Sequence, residues 1–470
     1  MADEMAVFLA GTPVGKVSRT PGERYTFTYT DEYRRTGRVP LSPTLPIGTG
    51  PFKSHHIGAY LEGLLPEKDA VRQQWAAEMD TGDNAFDLLT GMGLDCVGAV
   101  QFVPTDQLVD LEIRLADYLL QTDDAIGNRL RGLRETGASW TLPDEHWSLP
   151  GAQDKFTLTW QDGAWHAHKS AGTSTHIIKP GVQRLHHQAA LEHATMCVAD
   201  RLGLRVAQTR LEDFDREPAI VVTRFDRITT VNGTIHRLHQ VDFCQAMGRY
   251  PKNKYEERGG PRTRDLADML RRESALSDED VRRFSDAVLF NYVVGAPDGH
   301  SKNFALLYGP DGRARMAPLY DLSSAFAYDP TRNGYNLGKA AMSIGGRRKF
   351  GEVIGKTIDL HAEEMQLDPA ERRERAAEMA DAAPLLFIEE LKGLGASGRE
   401  LAQRLVPRLT AHAGEFAKRA RTAKPVPTTP SSGRAVGQRR DAKGRYNREV
   451  HAHQEMFPRP PQDPAHGISR

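Results

Sequence analysis

Apolar and polar positions alternate at residues 6–9 and again at 25–29, a helical spacing runs through 84–92, and a further strand pattern follows at 97–103. Together these predict a small α/β unit. Residues 106–147 are polar and helical in part, and the segment 148–155 (SLPGAQDK) punctuates the chain before a new run of strands. Residues 156–160 and 165–168 flank the turn Asp162-Gly163 as a hairpin, and 175–179 forms a third strand stopped by Pro180. Helical spacing over 185–202 ends at Gly203, and 219–223 is a short buried strand. Strand, strand, strand, helix, strand in that order predicts a twisted antiparallel sheet. After Arg262 the spacing turns helical: Ser277 and Asp280 stand three apart like a capping box, and Phe284, Val288, Asn291 and Tyr292 recur at helical intervals.

These patterns divide the 470 residues, too many for one compact core, into 1–105, 106–260, a mainly helical 261–423 and a tail at 424–470. Seven prolines and nine basic against four acidic residues predict a disordered, mildly basic tail. Over the whole chain 62 basic side chains balance 62 acidic ones, which excludes the global field of a dedicated nucleic-acid or membrane-surface binder. Cys96, Cys197 and Cys244 are widely spaced, without the pattern of a disulfide scaffold or zinc ribbon, and fit a reducing, cytoplasmic setting. No window reaches the roughly 18 apolar residues of a membrane span, and the start carries no basic region leading into an apolar stretch. Among the seventeen histidines, neither His186-His187 with His193 nor His451 with His453 is completed to a recognisable metal set by a carboxylate or cysteine, and solvated helix and tail histidines are the expectation. Neither a GxSxG elbow nor a GxxxxGK[ST] loop occurs.

The most informative stretch is residues 293–325. Asn303 opens an apolar strand at 304–308, Gly309-Pro310-Asp311-Gly312 makes a tight turn, and 315–320 returns to end at Asp321. In such a hairpin the two ends meet, which sets Asn303 beside Asp321, two hard oxygen ligands of the kind Mg²⁺ takes while it also binds phosphate. Asp298 precedes Asn303 by five positions in a Gly-flanked loop, the spacing of the catalytic aspartate and metal-binding asparagine of protein kinases. Such an aspartate accepts the proton of an attacking hydroxyl. Singly, Pro297-Asp298-Gly299 reads better as just a turn and Asp321 as just a helix N-cap before Leu322-Ser323-Ser324. The set is what turn formation does not require.

Upstream, Lys179 ends a β-branched strand and Glu192 lies thirteen residues on in the next helix, the layout of a phosphate-orienting lysine and its carboxylate partner. A solvated strand end and a solvated helix face fit the same spacing. Pro150, Gly151, Ala152, Gln153, Asp154 and Lys155 form a loop whose backbone amides could approach phosphates, although it is not GxGxxG. Thr223, Arg224 and Phe225 follow a strand where a hinge would offer backbone groups and an aromatic to an adenine ring; a buried sheet edge is the other reading.

The motifs SLPGAQDK (148–155), THIIKP (175–180), TRFDR (223–227), LHQVDFCQA (238–246), PDGHSKNFALL (297–307) and PLYDLSSA (318–325), in that order, closely resemble the HipA family of toxin kinases. The likeness spans about residues 5–415 and includes VFLAGTPVGKVSRTP, LEGLLPE and CVGAVQFVP near the start. It implies an α+β, two-lobed protein-kinase-like fold: an antiparallel-sheet N-lobe with a small N-terminal α/β subdomain, and a mainly helical C-lobe. It also implies a serine/threonine-protein kinase using ATP and Mg²⁺. On this resemblance Asp298 is the catalytic base, Asn303 and Asp321 hold the metal, Lys179 with Glu192 serves the phosphates, and Thr223, Arg224 and Phe225 are the adenine hinge. His300, Ser301, Lys302 and Tyr320 accompany them in the nucleotide-binding motifs.

The family's gating loop falls on 148–155 and its inhibitory autophosphorylated serine on Ser148. Family members phosphorylate an aminoacyl-tRNA synthetase and are restrained by a helix-turn-helix, HipB-like antitoxin that binds operator DNA, so any DNA contact here is expected through that partner. Two positions depart from the family pattern: Pro150 replaces a small residue and Asp154 a glutamate. A catalytically idle nucleotide-binding corepressor and a kinase for a small-molecule hydroxyl are the competing expectations.

Overall fold

A computed structural model describes residues 3–422 except 21, 23, 109–115, 138–140, 143, 171 and 331–336. The expected tail at 424–470 lies outside the described residues. The period-two pattern at the start closes into a five-stranded antiparallel sheet in the order Phe52–Lys53, Arg24–Tyr29, Thr12–Thr20, Glu4–Leu9, Val100–Pro104. Met5, Val7 and Leu9 bury one face. Helices Ser54–Glu62 and Ala85–Met92 pack against it, the second capped by the Asn84 side chain on the Asp87 amide. The strand expected at 97–103 is broken: Asp95–Cys96 pairs in parallel with Trp147–Ser148, and Val100–Pro104 joins the sheet. Gly98 makes the break, with φ +74° and Gln240 backbone so close that a β-carbon would stand 2.7 Å from its nitrogen.

The second sheet has six strands, all antiparallel, in the order Thr209–Phe214, Glu217–Thr223, His176–Lys179, Phe156–Gln161, Ala164–Ser170, Ala116–Gln121. Its helix, Gln188–Arg201, begins later than the apolar spacing suggests because His187 sits in the left-handed region at φ 62°. The helical lobe contains Thr263–Glu273, Ser277–Val294, Gly355–Glu364, Pro369–Lys392 and Gly395–Arg421. The expected capping box at Ser277 does not form. Asp280 instead accepts from Ser274 Oγ (2.6 Å), Arg283 Nη1 (2.7 Å), Arg315 Nε (3.1 Å) and the Met316 amide (2.7 Å), a better use of a buried carboxylate than one helix-end amide. That network fixes Ser277–Val294 to the hairpin Ala305–Tyr308 and Ala314–Met316, which Gln240–Asp242 extends to three strands. The result is the two-lobed α+β architecture. Among the described residues no helix is long and apolar enough to cross a membrane.

Candidate active site

Between the six-stranded sheet and the helical lobe lies a cavity of about 920 Å³. It collects nearly every residue singled out from the sequence: the loop Pro150 to Lys155, Lys179, Glu192, Thr223, Arg224, Phe225, Asp298, His300, Lys302, Asn303, Tyr320 and Asp321 all line it. Ser148 and Ser301 do not. Ser148 is fully buried, its hydroxyl donating to the Leu64 carbonyl at 2.8 Å, and Ser301 Oγ donates to the Lys254 carbonyl at 3.0 Å.

His176–Lys179 is hydrogen-bonded on both edges, so its last residue is carried on a fixed rail into the cavity. There Lys179 Nζ donates to Glu192 Oε1 at 3.0 Å and also contacts Asp321 Oδ1. Burial alone would lower the ammonium's pKa; Asp321 and Glu192 outweigh it and hold the lysine above its ordinary value. Burial likewise pushes the Asp321 carboxyl up, and the Lys179 and Lys155 charges pull it below its usual range. With 37 % of its side chain exposed, Asp321 also keeps contact with water in the cleft, which supports the ionised form. No helix follows Asp321, which excludes a helix-cap role, and its backbone takes φ 56°. A residue with a β-carbon in that region is strained.

The other hairpin end is built by a single 3₁₀ turn, Ser301–Asn303. Asn303 Nδ2 donates to the Asp298 carbonyl at 2.8 Å, which leaves Oδ1 as the ligand atom this side chain can offer. Tyr320 Oη donates to the Lys302 carbonyl at 2.7 Å and so ties the neighbour of Asp321 to the neighbour of Asn303. The Asp298 carboxylate accepts from Tyr255 Oη at 2.8 Å and is 61 % exposed to the cavity. The cavity walls push its carboxyl above the usual range and Asp321 adds to this, while Lys254 and the Tyr255 hydrogen bond oppose; water in the open cleft moderates the rise. His300 is unsuited to proton transfer: burial, with the Lys254 charge, pulls it down to about 3.

The loop over the cavity is clamped by its own lysine and by the N-terminal unit. Lys155 Nζ donates to the Pro150 carbonyl at 2.7 Å, and burial, opposed by Asp321 and aided by Lys179, lowers it to about 8. The Gly151 carbonyl accepts from the Glu67 amide at 3.0 Å, and Asp154 pairs with Lys68 at 2.5 Å. At the hinge the amides of Thr223 and Arg224 are already bonded to the Gln208 and Thr175 carbonyls. Arg224 differs from its expected place as a nucleotide contact: its guanidinium is committed to a buried network with Asp226 (2.9 Å), Asp95 (3.3 Å) and the Cys96 carbonyl. With its amide bonded to Thr175 as well, only its carbonyl remains to offer. The Phe225 ring lies 5.7 Å from that of Tyr320, tilted by 32° to it.

Several cavity residues have no local signal in the sequence. Glu67, which pairs with Lys254 at 2.6 Å, Lys68 and Tyr255 lie in irregular segments outside any hydrophobic period. Gln188 bridges Gln153 and Glu192, donating to the latter at 3.0 Å, and could have been found only from its position one turn before Glu192.

Residues 147–386 match the family model of the HipA-like C-terminal domain, and residues 5–103 that of the HipA N-terminal domain. Y4mE of Sinorhizobium fredii, a protein named as a kinase, is 36% identical over 324 residues, 67% of this chain and 74% of that one. The serine/threonine-protein kinase toxin HipA of Shewanella oneidensis is 30% identical over 349 residues, 69% of this chain and 76% of that one. The solved HipA from the Shewanella oneidensis MR-1 complex with HipB and operator DNA superposes with a TM-score of 0.76 at 23% identity, covering 89% of this chain and 100% of that one. At that identity the superposition speaks for the fold.

Proposed function

We propose, given that this chain belongs to the HipA family, that it is a serine/threonine-protein kinase transferring the γ-phosphoryl group of ATP to a protein hydroxyl. The observation that carries this is the convergence of Lys179–Glu192, Asp321, Asn303 and Asp298 on one cavity from four separate segments. A carboxylate and an amide oxygen suit a cation that keeps several waters. Asp321 and Asn303 would hold Mg²⁺, which when bound supplies charge neutralisation at the phosphate oxygens. Lys179, oriented by Glu192, sets the phosphates. The backbone of 151–155 covers them, and the hinge at 223–225 receives the base through main-chain groups and Phe225. Asp298 aligns the attacking hydroxyl and accepts its proton at a carboxylate oxygen. Positioning and charge then supply the rate, as expected for a loose phosphoryl transition state.

In this reading residues 1–105 are the N-terminal subdomain, 106–260 the N-lobe with its connecting segment and 261–423 the C-lobe. The toxin name of the Shewanella relative and the HipB and operator DNA in its complex support the wider role. The chain is the toxin of a toxin-antitoxin pair, cytoplasmic, bound by a helix-turn-helix antitoxin and reaching DNA through it, with an aminoacyl-tRNA synthetase as the substrate to try first. Autophosphorylation at Ser148 requires the strand Trp147–Ser148 to detach, because the hydroxyl is sealed against Leu64. A phosphate there would bar its return.

The test is phosphoryl transfer. Purified chain with Mg²⁺ and labelled ATP should phosphorylate Ser148 or an added synthetase, and Asp298→Asn should abolish it while still binding nucleotide. Nucleotide binding without transfer in either protein, with cell lysate as substrate source, would replace the kinase by an idle nucleotide-binding scaffold.

A further inference from the structure

The fold brings to His187, and to its neighbour His186, a carboxylate from 213 positions away in the sequence, Glu400. His187 Nε2 stands 3.1 Å and His186 Nδ1 3.7 Å from the same carboxylate oxygen of Glu400, and ligand atoms of all three residues lie within 4.8 Å of one another. Ligands about 2.0–2.2 Å from a tetrahedral ion stand roughly 3.3–3.6 Å apart, and the two histidine–carboxylate separations, 3.1 and 3.7 Å, lie on either side of that range. A plain histidine–glutamate hydrogen bond needs one ring, not two converging on one oxygen.

The backbone points the same way. His187 adopts φ 62° and ψ 27°, which residues bearing a β-carbon rarely do, and it caps the Gln188–Arg201 helix without giving that helix a side-chain hydrogen bond. Its ring meets Glu400 and makes no bond to the helix end. The His186 and Glu400 side chains are 68 % and 55 % exposed, leaving room for an ion to enter and for water to complete its shell.

We propose that His186, His187 and Glu400 form a binding site for a divalent transition-metal ion of the zinc class, which joins the start of Gln188–Arg201 to the second turn of Gly395–Arg421. Imidazole nitrogens suit Zn²⁺, Cu²⁺ and Ni²⁺ and are poor ligands for Mg²⁺, so the site is chemically separate from the oxygen ligands Asp321 and Asn303. By linking the helix that carries Glu192 to the C-terminal helix, the ion adds a cross-link present only in the folded state, and its binding stabilises that state.

The experiment is a Zn²⁺ titration by calorimetry of chelator-stripped full-length chain in saturating Mg²⁺ and without nucleotide, beside His186→Ala and Glu400→Gln. Both changes fall on exposed side chains, and the metal-free melting curves check that each variant folds like the wild type. The wild type should bind one equivalent of Zn²⁺ that each variant binds at least about tenfold more weakly, and at one Zn²⁺ concentration the melting temperature of the wild type should rise more than that of either variant. Equal stoichiometry and affinity in all three proteins, with equal thermal shifts, would overturn the site.

Discussion

The hydroxyl of Tyr255 donates to Oδ1 of Asp298 at 2.8 Å, so one oxygen of the proposed base is held by a residue 43 positions upstream. That bond lowers the Asp298 carboxyl against the upward push of its surroundings. Tyr255→Phe keeps the ring and removes the bond, so the carboxyl rises and the acid limb of the rate–pH profile moves to higher pH. Hydrogen bonds to charged groups contribute about 1.5–3 kcal/mol, which sets the expected loss of rate at about tenfold or more. Profiles of kcat/KM for the two proteins decide it, and an unmoved acid limb would remove Tyr255 from any role in setting the base.

Lys179 is shared between Glu192 and Asp321. Glu192→Gln keeps the shape but takes away the anchor, freeing the lysine to follow Asp321 alone. Phosphoryl transfer should fall on the order of a hundredfold by loss of positioning. Removing one partner of a buried pair costs about 3–5 kcal/mol, and Asp321 as a remaining partner puts this case at the low end. The lysine is raised above its ordinary value, so the contribution is fully present below the usual lysine range and is lost only as pH climbs through the raised value. Chemical denaturation at pH 6 and pH 9 should therefore show the same stability gap between wild type and variant. A gap that closes by pH 9 would refute the pairing as the source.

What could be read from the sequence is what is encoded locally. The hairpin Phe156–Gln161 and Ala164–Ser170, the strand that ends at Lys179 and the helix that carries Glu192 each follow from their own periodicity. Asn303 and Asp321 could be paired because one short hairpin joins them. Tyr255, Glu67 and Lys254 belong to irregular segments and meet the cavity only through tertiary contacts, so no periodicity announces them, although Glu67 ends the LEGLLPE stretch of the resemblance. The TRFDR motif is conspicuous, yet the use of Arg224 depends on Asp95, 129 residues earlier. Ser277 and Asp280 show the opposite error. Their spacing is right for a capping box, but the carboxylate finds two guanidiniums and a strand amide instead. His187 and Glu400 share the difficulty of Arg224, being far apart in sequence.

Asp95 sits at the centre of the buried network that ties the N-terminal unit to the hinge, accepting from Arg227 at 2.9 Å and from the Ser174 hydroxyl at 2.6 Å. Burial would raise its carboxyl, but Arg227, Arg224 and Arg237 together hold it well below the usual carboxylate range. A depressed carboxyl contributes stability that is present above its unfolded value, near pH 4, and is lost as pH falls through the lower folded value. Asp95→Asn should cost about 3 kcal/mol at pH 7, since it leaves the buried Arg224 and Arg227 with Asp226 alone and takes the carboxylate from Arg237. The difference from wild type should shrink only in strong acid. Urea unfolding at pH 7 and pH 3 tests both statements, and a variant as stable as wild type at pH 7 would show the network to be dispensable.

Lys68 reaches from the N-terminal unit to Asp154 in the loop over the cavity, and the same ammonium donates to the Gly137 carbonyl at 3.3 Å. The pair is partly exposed, so its worth is limited to about 1 kcal/mol or less. If the loop covers bound phosphates, untethering it adds an ordering cost to nucleotide binding and leaves the chemical step alone. Lys68→Met should thus weaken ATP affinity about two- to fivefold with kcat nearly unchanged. Asp154→Asn should do the same through the same contact, and this makes the double variant decisive. When two changes break one interaction, the second adds nothing, whereas independent effects multiply. ATP affinities of the two single variants and the double should therefore agree within about twofold. A double variant as weak as the product of the singles would mean that Lys68 and Asp154 act on nucleotide separately, and that the N-terminal unit does not hold the loop.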